Sequence, residues 1–133
     1  MLIYLHGLNS SSASFKAGEL RKHLAPMEVQ APDYPAHRPD EAVARLSEFI
    51  SRIDRDLPPI LVGSSMGGFY GQYLARQFPL KYLFLINPTV TPWTLLPAFE
   101  GQWMTTASGL DYQVTRELID QTRRYGIDNP CDG

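Results

Sequence analysis

A chain of 133 residues, 44% apolar and 20% charged, is long enough for one domain with a hydrophobic core. Its formal charge of −2, with both signs interspersed, argues against a nucleic-acid groove or a polybasic membrane patch. Cys131 stands alone, so neither an internal disulfide nor a cysteine-rich metal site can form, and no metal site is expected.

Leu2 to Leu5 read as a first strand that ends at His6-Gly7-Leu8-Asn9-Ser10. No basic n-region, long apolar h-region or cleavage site precedes it, and the expectation is a soluble, cytoplasmic protein. Ser10 to Ser14 can cap a helix running to about Leu24, with Ala17, Leu20 and Leu24 inward. Met27 to Ala31 form a second strand, and the loop 32–39 is too rich in proline to be regular. Asp40 is a plausible N-cap for a helix to about Asp56, whose Val43, Leu46, Ile50, Ile53 and Leu57 trace one face. Ile60 to Val62 are a short buried strand, and Met66 to Phe78 carry Phe69, Tyr70, Tyr73 and Leu74 at helical spacing. A strand from Tyr82 to Asn87 follows. Its apolar run, Tyr82 to Ile86, is unsurpassed in length in the chain and far too short to span a bilayer. Residues 89–111, rich in Thr, Pro, Gly and large apolar side chains, are a possible lid, and a last amphipathic helix covers roughly Tyr112 to Tyr125.

Strands alternating with helices predict right-handed βαβ units: a single α/β domain over residues 1–133, a three-layer sandwich on a mostly parallel sheet of about four strands. Such sheets carry their sites beyond the carboxyl ends of the strands, which gathers residues 6–10, 32–39, 65–66 and 87–91 on one rim.

Between the third strand and its helix lies Gly63-Ser64-Ser65-Met66-Gly67, the G-x-S-x-G pattern in its strand-turn-helix context. There Ser65 takes a strained backbone that projects its hydroxyl above the sheet, and positions 63 and 67 can hardly carry a Cβ. The helix starts at the serine, so free N–H groups and a positive dipole end face charge developing there. A phosphate loop is the competing reading, but no Lys follows the glycines and no G-x-G-x-x-G is present.

Taken together, Tyr4-Leu5-His6-Gly7-Leu8-Asn9-Ser10-Ser11, residues 62–70 and Asn87-Pro88 resemble the YqiA-type esterases, small bacterial α/β-hydrolases, over nearly the whole chain. The resemblance implies a hydrolase of carboxylic esters or acyl thioesters, with a Ser-Asp/Glu-His triad and no cofactor. Carried over, Ser65 is the nucleophile. The backbone N–H groups of Leu8 and Met66 form the oxyanion hole, and His6 and Gly7 shape its loop. The family's order is Ser, acid, His, yet His6, His23 and His37 all precede Ser65. Family members continue into strands ending in an Asp-bearing loop and a Gly-x-x-His loop, and nothing after Ile127 resembles either. The resemblance therefore implies a chain lacking the C-terminal strands, with triad acid and histidine unknown. His37 is expected one strand too far from Ser65, His23 is read as solvated, and Asp111, Asp120 and Asp128 as helix-end or surface charges. Tyr82 to Ile86, apolar on both faces, reads as an interior strand that would become a bare sheet edge in this chain.

Trp93, Leu96 and Phe99, with Leu95, Trp103 and Met104, are a possible acyl pocket or else ordinary packing of a lid. The leading expectation is a serine esterase acting on a small-molecule acyl ester or thioester, with little activity in the chain as it stands. The alternatives are a catalytically silent binding module and an acyltransferase. No nucleic acid and no membrane insertion are expected, and the oligomeric state is unknown.

Overall fold

The computed structural model describes residues 1–127. Four parallel strands, β1 (Leu2–Leu5), β2 (Val29–Gln30), β3 (Ile60–Ser64) and β4 (Tyr82–Ile86), form one sheet in the order β2-β1-β3-β4. Leu5 lies opposite Gly63, and Gly63 opposite Leu85, so the carboxyl ends of the three longer strands share one rim.

Side-chain alternation sorts the core into two faces. Ile3, Leu5 and Leu61 point towards α2 (Pro39–Ser51) and α3 (Met66–Gln77), whose Ala42, Leu46, Phe69, Tyr70 and Leu74 close over them. Leu2, Tyr4 and Val62 point the other way, towards Ala17, Leu20 and Leu24 of α1 (Phe15–Leu24). The result is the expected three-layer α/β sandwich. Ile3, Leu5 and Leu61 are fully buried, each stabilising the fold by about 1.5–3 kcal/mol over an exposed side chain. The α1 helix starts as expected, its N-cap Ser14 accepting from the Ala17 N–H.

Three elements differ from the sequence reading. Asp40 does not cap α2: Arg38 holds that position and Pro39, with φ preset for a helix, begins it. The Asp40 carboxylate instead accepts from the Tyr125 hydroxyl and the Arg124 guanidinium, tying the helical turn Arg123–Tyr125 to the start of α2. The second strand is reduced to Val29–Gln30, and α2 ends at Ser51. The predicted helix from Tyr112 begins as strand and turns helical only from Arg116. Trp103–Thr105 (β5) and Asp111–Gln113 (β6) pair antiparallel, Met104 opposite Tyr112, and only Arg116–Thr122 (α5) is α-helical, capped by Thr115.

Between β4 and the hairpin, Pro92–Leu95 form a helical turn continued by a 3₁₀ turn, Leu96–Phe99. Leu96, Tyr112, Val114, Leu118 and Ile119 make a second small core, to which Leu8 and Trp93 bridge from the main one. As anticipated, β4 is an outer edge: among the described residues no strand pairs with its free side, and Tyr82 and Phe84 are 56% and 55% exposed. No helix of the described residues is long and apolar enough to cross a membrane.

Candidate active site

The turn between β3 and α3 has the shape that its glycines require. A Cβ on Gly63 would lie 2.4 Å from the Gly67 carbonyl oxygen, and one on Gly67 only 2.1 Å from that of Leu5. With both glycines bare, the helix start sits directly on the sheet. Ser65 then adopts φ 53° and ψ −117°, a conformation L residues rarely hold, which costs about 1–3 kcal/mol. Flanking bonds hold it there: the Ser65 N–H donates to the Ile86 carbonyl, and the Thr89 N–H donates to the Ser65 carbonyl at 3.0 Å. Ser65 is the one exposed residue between Leu61 and Gln72. Its backbone is over-determined while its side chain is free.

The loop after β1 runs alongside. A Cβ on Gly7 would come 3.5 Å from that of Ser65. The Ser10 N–H closes a turn onto the Gly7 carbonyl at 3.2 Å, with Leu8 and Asn9 in its middle. His6 is buried at the base of this loop, its Nδ1 2.7 Å from the Gly7 carbonyl oxygen, its ring stacked on Tyr34 at 4.3 Å. The Tyr34 hydroxyl donates to the His6 carbonyl at 2.5 Å, so loop 32–38 braces loop 6–10. Burial lowers the His6 pKa, which keeps the ring neutral near pH 7.

Among the described residues, the backbone N–H groups of Leu8 and Met66 have no hydrogen-bond partner. As the first residue of α3, Met66 has an N–H with no intrahelical acceptor, which leaves it open to an acceptor beside Ser65. The dipole of the 12-residue α3 adds positive potential at that point. Beside Ser65 opens a cavity of about 420 Å³ lined by Gly7, Leu8, Asn9, Ser10, Met66, Thr89, Pro92, Leu95 and Leu96. Of the three pocket residues picked from the sequence, Leu96 lines this space. Trp93 does not: it packs between the two cores, with the Arg123 guanidinium 5.9 Å from its ring. Nor does Phe99, which is 43% exposed. Leu95 and Pro92, which line the wall, sit on the same turn.

No histidine reaches Ser65 by a hydrogen bond among the described residues. His23 pairs with Glu19 on the surface of α1. His37 is buried against Tyr112, ring centroids 4.5 Å apart, and neither ring nitrogen has a partner among the described residues. Its pKa is lowered by burial and by the neighbouring Arg38. Asp111 is exposed and accepts from the Thr105 hydroxyl at 2.6 Å, Asp120 is exposed, and Asp128 lies outside the described residues. Among the polar contacts that the sequence does not signal, Lys16 Nζ donates to Ser64 Oγ at 3.0 Å, fixing the residue before Ser65 from the α1 side. No local pattern signals that contact, because 48 residues separate the partners.

Similar folds occur in mouse alpha/beta hydrolase domain-containing protein 10, with a TM-score of 0.69 and 19% identity over 95% of this chain. Est1E from Butyrivibrio proteoclasticus superposes with a TM-score of 0.63 and 13% identity over 92% of the chain. A monoacylglycerol lipase from Paleococcus ferrophilus does so with 0.61 and 18% over 93%. The chain spans 61%, 58% and 66% of those proteins respectively. At these identities the likeness establishes the α/β-hydrolase fold. The sequence pattern of the uncharacterised protein family UPF0227 matches residues 1–128, and the chain therefore belongs to that family, the YqiA-type family.

Proposed function

We propose that this chain carries the nucleophile and oxyanion hole of a serine esterase acting on carboxylic esters or acyl thioesters. The observation that carries this reading is the conjunction at Ser65: a strained, exposed serine flanked by two unpartnered backbone N–H groups, Met66 and Leu8. Ser65 Oγ attacks the acyl carbon and its proton passes to a base. The carbonyl oxygen becomes an oxyanion held by the two N–H groups, each worth about 3–4 kcal/mol. Collapse expels the alcohol or thiol and leaves acyl-Ser65, which water hydrolyses. The cavity walled by Leu95 and Leu96 receives the acyl chain, and residues 89–111 serve as its lid. A lone cysteine suits the cytoplasm.

No base is hydrogen-bonded to Ser65 among the described residues, so in this chain taken alone solvent takes the proton. Loss of the histidine from such a triad costs about 10⁶ in kcat and leaves roughly 10³–10⁴ over water. This favours, as a second reading, a scaffold that binds acyl ligands without turning them over. Hydrolysis of a short-chain p-nitrophenyl ester by the chain and by Ser65→Ala separates the two. A slow rate that vanishes in the variant supports the esterase, and equal rates contradict it.

A further inference from the structure

The exposed tip of the loop after β1 is held from a distance. Asn9 is solvent-exposed and follows the residue that contributes the Leu8 N–H, yet three bonds tie it to the β5–β6 hairpin. Its side-chain oxygen accepts from the Tyr112 hydroxyl at 2.5 Å, its side-chain nitrogen lies 3.6 Å from Met104 Sδ, and its carbonyl accepts from the Ala107 N–H at 3.0 Å. Within its own loop, among the described residues, the turn is closed by one bond, from the Ser10 N–H to the Gly7 carbonyl at 3.2 Å. Tyr112 in turn cannot swing freely: it is 8% exposed, pinned by the stacked His37 ring and packed in the second core.

We propose that the β5–β6 hairpin is a positioning element for the oxyanion hole, Tyr112 and Asn9 being positioning residues that hold the Leu8 N–H against Ser65. The proposal rests on the esterase reading above and deepens it. Rotation of the Leu8–Asn9 turn by a fraction of an ångström moves one of only two donors, and a preorganised donor contributes only while it stays in place. The Tyr112 phenol, which burial pushes up to about 12, remains a proton donor throughout the working pH range.

Tyr112→Phe removes one hydroxyl and keeps the packed ring. In the residual p-nitrophenyl ester hydrolysis, where the oxyanion hole supplies most of the acceleration, kcat should fall about 10-fold with KM within twofold. Asn9→Ala should do the same, and the double variant should be no worse than either single one, because both cut one chain of contacts. A loss carried by KM, an unchanged rate, or losses that multiply in the double variant would overturn the proposal. Backbone ¹⁵N order parameters decide it without catalysis. Leu8 and Asn9 should be rigid in the parent, near about 0.85, and drop below about 0.6 in Tyr112→Phe. Unchanged order parameters overturn the positioning role whatever the kinetics. If instead Ser65→Ala hydrolyses as fast as the parent, the esterase reading fails, and the relaxation data still decide whether the hairpin holds the loop.

Discussion

The Gly67→Ala variant tests the geometry of the elbow directly, because the structure assigns its cost to backbone atoms that cannot step aside. The added methyl would lie 2.1 Å from the Leu5 carbonyl oxygen, 2.7 Å from its carbon and 2.9 Å from the His6 carbonyl oxygen. No rotamer change relieves such contacts; α3 must lift by about 1 Å from β1, or the loop after β1 must open. Overpacking of this kind costs about 3 kcal/mol, against a helix-propensity gain of about 1 kcal/mol for replacing glycine. A net loss of about 2 kcal/mol is expected, and a midpoint lower by about 6–10 °C. Gly18→Ala is the matched control, since nothing lies within 4 Å of its position in α1. It should gain up to about 1 kcal/mol. Urea titrations of both variants read the sign. A Gly67→Ala protein within about 0.5 kcal/mol of the parent would refute the close approach, and so would parallel losses at both sites.

Three further outcomes follow from the same geometry. Ser65→Gly relieves the φ of 53° and should be more stable than Ser65→Ala by about 1 kcal/mol in denaturant while forming no acyl-enzyme; the reverse order would show that no strain is stored there. Burial lowers the pKa of His6 and of His37, so below about pH 6.5 the unfolded chain takes up protons that the folded one refuses. Stability should hold above that pH and fall as pH drops from about 6.5 through the lowered folded values. His37→Phe, which keeps a ring against Tyr112, should flatten part of that fall, and identical pH curves would contradict the burial effect. Phe84 is 55% exposed on the unpaired edge of β4, so the chain should self-associate as its concentration rises, and Phe84→Lys should suppress this in sedimentation velocity. An unchanged association with the lysine would place the contact elsewhere.

The stretch from Ile60 to Phe78 was legible because three independent signals coincide there: an apolar run, two glycines flanking a serine, and apolar residues at helical spacing. The rim likewise followed from topology, which brings loops 6–10, 65–66 and 87–91 together whatever their details. The misreadings have a common cause in long-range contacts that override local pattern. Val114 and Leu118 are four apart and read as one helical face, but Gly101 and Val114, with Gln102, exchange backbone hydrogen bonds that draw residues 111–113 into a hairpin. Asp40 has the composition of a cap, but the helical turn after α5 brings Tyr125 and Arg124 to its carboxylate. Pro39, a first-turn signal in its own right, marked the true start. Trp93 and Phe99 share composition with a pocket wall, yet it is Leu95, from the helical turn 92–95, and Leu96, which opens the 3₁₀ turn, that line the space beside Ser65. The contact between Asn9 and Tyr112 spans 103 residues, beyond the reach of any local pattern.

The central claim is that Ser65 Oγ, and no other hydroxyl, is the reacting atom. Treatment of the 133-residue chain with a fluorophosphonate, followed by peptide mapping by mass spectrometry, addresses it without need of a known substrate. The account predicts a slow, single phosphonyl adduct on the peptide bearing Ser65, absent in Ser65→Ala. Adducts scattered over the half-buried serines of residues 10–14, or borne by Ser64 with Ser65 untouched, would contradict it.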